Sequence, residues 1–224
     1  MKLVVFGATG RIGTELVQQG VAAGHQVTAV VREGSSLQLP TPVGVGAAGS
    51  RSAGAGGALE VVTADVMDAG AIASVVAGQD AVLSVLGPRG RGPTSVLSDG
   101  ARTVLQAMRE TGVRRLLVVS VAGIHTTGDD PFTKHVVKPI LGRLLRESFA
   151  DARRMEEAVR SSDLDWTIVC PPRLTNGAAK GRIRSNTEGT VRGGFAITRA
   201  DVATYLLTAI SNTEVIRRTA VISN

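Results

Sequence analysis

The chain has 224 residues and a mass of 23.1 kDa, enough for one domain with a sizeable core. Aromatics make up only 3% of it, so Val, Leu, Ile and Ala must fill that core, and the single cysteine, Cys170, excludes an internal disulfide. The net charge of +6 is spread over arginine pairs (Arg89/Arg91, Arg114/Arg115, Arg153/Arg154, Arg182/Arg184, Arg217/Arg218) without interleaved aromatics, which argues against nucleic acid and leaves a basic field able to steer a polyanionic cofactor.

The first apolar run stops at Gly7, too early for a signal peptide, and no run of about 18 apolar residues exists. The expectation is a cytoplasmic chain with no membrane partner. Lys2 to Phe6 reads as a buried parallel strand, followed by Gly7-Ala8-Thr9-Gly10-Arg11-Ile12-Gly13 and a helical pattern. The spacing G-x-x-G-x-x-G is a variant of the dinucleotide-binding fingerprint, and it has the strand before it and the helix after it that the motif requires. Gly7 permits the tight turn, Gly10 lets the backbone approach a pyrophosphate, and Gly13 lets the helix pack close to the sheet. Ile12, Leu16, Val17 and Val21 mark the buried face of that helix, and Gly24 is its stop.

His25 to Arg32 reads as a second strand rich in β-branched residues. A fold that prefers NAD places an acid about 20 residues past the fingerprint, for the ribose 2′-hydroxyl. Arg32 stands there instead, with Glu33 after it, and a guanidinium suits a 2′-phosphate. Arg11 can join it. NADP(H) is the expected cofactor. From Gly34 to Ala58 the chain is Gly, Ala, Ser and Pro with no period, which reads as a flexible surface loop at about 34–58. Leu59 to Asp65 is a third strand. Asp65 then stands where an adenine amine would lie, and Asp68 reads as the N-cap of a helix through about Ala77.

Ala81 to Leu86 is the fourth strand, ending in Gly87-Pro88, and Thr94 or Ser95 caps a helix whose apolar stripe runs from Val96 to Met108. Arg115 to Ser120 is the fifth, with the Ser120 hydroxyl at its tip, where ligands sit in a doubly wound sheet. Val121 to Leu145 reads as a substrate-side loop with short helical turns. Phe149, Ala152, Met155, Ala158 and Val159 mark the next helix. Asp165 to Cys170 is the sixth strand, stopped by Pro171-Pro172, and Cys170 reads as a small buried hydrophobe with nothing nearby in sequence to activate it. Thr175 to Phe195 is a second loop over the cleft with room for short strands. Thr198-Arg199-Ala200-Asp201 opens the last helix like a capping box, and Thr219 to Ser223 can close the sheet. The architecture expected for residues 1–224 is one α/β domain, a doubly wound, Rossmann-like parallel sheet with substrate-side loops.

GATGRIG, DVMD, VVSVAG, DLDWTIVCPP and ITRADVA occur in that order. The set is similar to the single-domain, NmrA-like and flavin-reductase-like branch of the atypical short-chain dehydrogenases. Within the branch, Asp151 to Met155 and Val169 to Pro172 resemble the flavin reductase (biliverdin-IXβ reductase) type. The resemblance implies an NADPH-dependent oxidoreductase passing a hydride to a flavin-like or quinone-like small-molecule acceptor. It places Gly7, Thr9, Gly10, Arg11 and Ile12 on the pyrophosphate and Arg32 on the 2′-phosphate. It places Asp65 and Val66 on the adenine, Leu86, Gly87 and Ser120 on the ribose and nicotinamide, and Pro171 and Arg173 on the far side of the ring. No metal is assigned.

The departures bear on chemistry. The Tyr-x-x-x-Lys pair of short-chain dehydrogenases is missing: the only tyrosine is Tyr205, in the last helix, and Thr133-Lys134-His135-Val136-Val137 stands at the expected place. The flavin-reductase type tends to have a histidine where this chain has Ala152. Ser120 is the first choice for a catalytic positioning group, with His125 and His135 as outside candidates. The alternative to a reductase is a non-catalytic NADP(H)-binding redox sensor.

Overall fold

The computed structural model describes residues 1–39, 52–53, 57–88, 94–125 and 146–224. In chain order the elements are β1 (Lys2–Phe6), α1 (Arg11–Ala22), β2 (Gln26–Val31), β3 (Ser52–Ala53), β4 (Ala58–Thr63), α2 (Ala69–Val76), β5 (Ala81–Ser84), α3 (Val96–Thr111) and β6 (Arg115–Val119). There follow α4 (Arg146–Arg160), β7 (Asp165–Cys170), β8 (Arg173–Thr175), β9 (Arg184–Asn186), β10 (Ala196–Thr198), α5 (Arg199–Ala209) and β11 (Arg218–Ser223). The main sheet has the order β3-β4-β2-β1-β5-β6-β7-β11-β9, and β8 pairs with β10 apart from it. The seven central strands from β4 to β11 run parallel, while β3 and β9 add antiparallel edges.

Alternation along β1 shows why the sheet is covered on both faces. Leu3 and Val5 point into one apolar layer with Leu16 and Val17 of α1 and Val202 and Leu206 of α5. Val4 and Phe6 point into the other, with Ile72 of α2, Val104 and Met108 of α3 and Met155 of α4. A strand buried on both sides must be apolar throughout, as this one is after Lys2. The doubly wound reading therefore holds, with the strand order reversing between β1 and β5.

Local chemistry sets the helix ends. Gly24, at φ +84°, follows α1 as its stop, and Asp68 caps α2 by accepting from Gly70 and Ala71. Thr198 and Asp201 cap α5 reciprocally: the Asp201 amide donates to Thr198 Oγ1 at 3.0 Å, and that hydroxyl donates to Asp201 Oδ2 at 2.7 Å.

Three expectations need correction. The Gly/Ala-rich stretch is not structureless throughout, because Ser52–Ala53 pairs antiparallel with β4. The reason is that β4 would otherwise end the sheet with an unpaired row of N–H and C=O groups. Gly57 beside it is close-packed: its N–H donates to the Val21 carbonyl at 2.9 Å, and a side chain there would run into the His25 backbone. The rest of that loop, 40–51 and 54–56, lies outside the described residues. The helix expected from Asp65 starts at Ala69, after a turn in which Asp65 Oδ1 accepts from Met67 N–H at 3.0 Å. β11 does not close the sheet, since β9 lies beyond it.

Candidate functional site

Strand β1 ends in a turn that suits glycine alone. Gly7 has φ +81°, and a Cβ there would stand 2.6 Å from the Val85 carbonyl oxygen, one residue past β5. The turn therefore occupies the point where strand order reverses, the place for ligands in such sheets. Gly10 N–H donates to the Gly7 carbonyl at 2.9 Å, and the Gly10 carbonyl accepts the first bond of α1, from Thr14, at 2.8 Å. A side chain on Gly13 would run into the Gly7 carbonyl and lie 2.7 Å from Ala8 Cα, so helix and loop touch backbone to backbone.

The start of α1 has no side-chain cap and no acid in its first turn. Three other helix starts are satisfied from within. Asp68 serves α2, and Asp151, fully buried on α4, accepts from Leu97 and Ser98 of α3 at 3.0 and 3.1 Å. Thr198 serves α5. A helix start without a side-chain cap, with the positive end of its dipole, is the kind of place that suits an anion.

The remaining sequence-predicted residues gather at the same end of the sheet. Arg32 follows β2, Asp65 and Val66 follow β4, Leu86 and Gly87 follow β5, Ser120 follows β6, and Pro171 follows β7. Arg11, Arg32, Asp65 and Gly87 are exposed, while Thr9, Ile12 and Leu86 are half-buried. Val66 is buried in the α2/α3 core layer, and Ile12 packs against the α1/α5 layer, so both side chains serve packing first. Pro171 is buried and its carbonyl accepts from Ala122 N–H at 3.0 Å, bracing the turn after Ser120. Arg173 is exposed and opens β8, in the smaller sheet. Arg199, the first residue of α5, was not among the predicted residues; burial and the neighbouring Arg11 charge hold its pKa below the ordinary value. It donates to Asn176 Oδ1 at 2.7 Å. The Arg11 charge at the start of α1 is thus felt by Arg199 at the start of α5.

Behind Ser120 lies a buried polar cluster. Ser120 is 3% exposed, and its Oγ donates to Glu156 Oε1 on α4 at 2.5 Å. His125 Nε2, on the turn after β6, is 3.2 Å from the same oxygen and 3.3 Å from Cys170 Sγ at the end of β7. Arg160, one turn along α4, donates to Glu156 Oε2 at 2.7 Å and to Thr219 Oγ1 at 3.0 Å. Burial pushes the Glu156 carboxyl up, but hydrogen bonds from His125 and Ser120 and the nearby His125 and Arg160 charges outweigh it, and the net direction is down. Burial, then the Glu156 charge, pushes the Cys170 thiol well above its usual range. Cys170 is buried as expected, yet its surroundings are polar on the Glu156 side. Sequence reasoning did not single out Glu156; its signal is its place seven residues after Phe149 and four after Ala152, on the apolar stripe, where a carboxylate needs partners. His135, Thr133 and Lys134 lie outside the described residues.

A family profile described as NAD(P)H-binding matches residues 7–213. The chain belongs to the NAD(P)H-binding family. It is similar to a UPF0659 protein of Saccharomyces cerevisiae, 27% identical over 218 residues that cover 94% of this chain and 87% of that one. A wide-type short-chain dehydrogenase/reductase of Veillonella parvula, solved with NADP, superposes with a TM-score of 0.78 at 18% identity, over 100% of this chain and 94% of that one. An anaerobillin reductase of Escherichia coli O157:H7 gives 0.71 at 21% identity, over 100% and 97%. These two likenesses show the fold.

For an NAD(P)H-binding protein the absence of a phenol at the site is the notable feature. Tyr205 lies elsewhere, on α5, lining a cavity of about 350 Å³ with Ser185, Asn186 and Thr208. A second cavity, about 550 Å³, is lined by Lys2, Gln26 and Gln79 at the opposite ends of the strands. Neither includes Gly7, Arg32 or Ser120. Ala152 is fully buried in the core layer of α4, so no imidazole stands there. No helix among the described residues is long and apolar enough to cross a membrane.

Proposed function

We propose that this protein is an NADPH-dependent reductase whose acceptor is flavin-like or quinone-like. The observation that carries the reading is the row of amides at the start of α1, left without a side-chain cap at the reversal of strand order while α2, α3 and α5 are capped from within. The pyrophosphate belongs on those amides, with Gly7, Thr9, Gly10, Arg11, Ile12 and Gly13 around it. Arg32 takes the 2′-phosphate; Arg11 and Arg199 add positive charge on the α1 side. Asp65 and Val66 flank the adenine. Leu86, Gly87, Ser120, Pro171 and Arg173 surround the ribose and nicotinamide.

The bound coenzyme supplies the hydride. What the chain supplies is placement, which suffices for conjugated acceptors because they carry their own chemistry. Ser120 spends its proton on Glu156, so toward a ligand its oxygen is an acceptor, suited to orienting a carboxamide N–H and not to acid catalysis. Mixing the protein with NADPH and then with FMN, riboflavin or simple quinones in a stopped-flow instrument tests the reading. Loss of reduced-nicotinamide absorbance with one of them supports it; no turnover with any of them contradicts it.

The inward turn of Ser120, only 3% exposed, favours a second reading, a non-catalytic NADP(H) sensor. That reading predicts NADPH binding with negligible turnover and a protein partner whose affinity differs between NADPH and NADP.

A further inference from the structure

The cluster behind Ser120 has a shape that a hydrogen-bond relay does not explain. A relay of thiol, imidazole and carboxylate uses one ring nitrogen for each partner. Here Cys170 Sγ and Glu156 Oε1 both face the same nitrogen, His125 Nε2, at 3.3 and 3.2 Å, and are 3.7 Å from each other. The three atoms form a near-equilateral triangle. At most two protons, one on sulfur and one on Nε2, serve its three edges, so at least one edge has no hydrogen bond.

Sulfur, nitrogen and oxygen donors at such spacing suit a cation set just off the centre of the triangle. With metal–sulfur near 2.3 Å and metal–nitrogen and metal–oxygen near 2.0–2.2 Å, tetrahedral angles put nitrogen and oxygen about 3.3–3.6 Å apart and sulfur about 3.5–3.7 Å from each. The observed edges, 3.2 Å for N–O, 3.3 Å for S–N and 3.7 Å for S–O, lie within about 0.2 Å of those distances. The donors come from three elements that are already in place: the turn after β6, helix α4 and strand β7. Arg160 holds the other carboxylate oxygen and is anchored on Thr219, which orients Glu156 with Oε1 toward the triangle. Glu156 and Cys170 are buried, while the His125 side chain is 22% exposed.

We infer that His125, Glu156 and Cys170 form a site for a borderline-soft divalent cation of the zinc class, with three protein ligands and a fourth position open. The site stands at the carboxyl ends of β6 and β7. A cation there would polarise an acceptor oxygen, a role that the missing phenol leaves unfilled. That role rests on the reductase reading; the binding of the ion does not.

The test strips the 224-residue chain with a chelator and titrates it with Co²⁺ and with Zn²⁺. The expected result is one ion per chain and a thiolate-to-cobalt charge-transfer band in the near ultraviolet. Cys170→Ser removes that band. Arg160→Met, which alters no ligand, weakens binding by about 10–100-fold. His125→Asn, on a partly exposed turn, weakens it at least as much and guards against a Cys170 variant that fails to fold. No ion bound by the wild-type chain, or a cobalt spectrum unchanged by Cys170→Ser, overturns the proposal. An NADPH titration of the stripped wild-type chain keeps the two claims apart. Coenzyme binding without metal uptake sinks the metal site alone, and metal uptake without coenzyme binding sinks the reductase reading alone.

Discussion

Gly7→Ala and Gly24→Ala form a matched pair, because both glycines have a left-handed backbone, at φ +81° and +84°. An L-residue in that conformation costs about 1–2 kcal/mol, offset in both by about 0.4–1 kcal/mol from a stiffer unfolded chain. The surroundings differ. Around Gly24 no heavy atom of the described residues lies within 4 Å of a new Cβ, whereas at Gly7 it would stand 2.6 Å from Val85 O and 2.8 Å from Val85 C. Those are backbone atoms at the end of a buried strand and cannot rotate aside, so Gly7→Ala should cost a further 1–3 kcal/mol or so, as overpacking does. Relieving the overlap moves the loop that cradles the anion, so NADPH affinity should fall at least about tenfold, roughly 1.4 kcal/mol, in Gly7→Ala and stay unchanged in Gly24→Ala. Urea denaturation gives the stabilities and titration calorimetry the affinities. Equal destabilisation of the two variants, with NADPH binding intact in Gly7→Ala, would refute the close approach of loop and strand.

Three further predictions follow from other contacts. Asp151→Ala leaves the Leu97 and Ser98 amides without their buried acceptor, and should cost about 2 kcal/mol in urea denaturation; a loss below about 0.5 kcal/mol would mean that water takes its place. Burial pushes the Asp201 carboxyl up, but donors from Lys180, Thr198, Gly181 and Asn224 outweigh it and hold it below the usual value. The unfolded chain then takes up that proton first as pH falls, so this stability is present above the unfolded pKa and is lost as pH drops through the folded one. Asp201→Asn should flatten the fall in stability below about pH 4, and an unchanged slope would count against the assignment. Arg32→Ala should weaken NADPH by about 10–150-fold, from a charge-assisted contact of roughly 1.5–3 kcal/mol, and leave NADH within about threefold; equal loss for both would show that Arg32 does not read the phosphate.

What was legible in the sequence had local causes. Asp165–Cys170 was placed to the residue because an apolar β-branched run ends there at two prolines. The fingerprint turn was legible because Gly7 and Gly13 stand where the backbone admits no side chain. The capping of α5 was legible because Thr198 and Asp201 are three residues apart. Contacts between distant positions were not. Asp151 caps α3 from 54 residues past Leu97, which leaves little for the expected local caps, Thr94 and Ser95. Thr94 Oγ1 accepts from Val96 N–H at 3.3 Å, and Ser95 makes no side-chain cap. His125, Glu156 and Cys170 come from three separate elements, and no period in the sequence brings them together. Ser52–Ala53 pairs with β4 through backbone groups, which carry no signal in residue type.

The central claim is an anion cradle at the start of α1, joined by a guanidinium that prefers the phosphorylated coenzyme. Titration calorimetry of the wild-type chain with NADPH and with NADH tests it most directly. The account predicts one NADPH per chain, bound at least about tenfold more tightly than NADH, as one charge-assisted phosphate contact requires. Uptake of neither nucleotide would contradict the cradle, and tighter binding of NADH would contradict the role of Arg32.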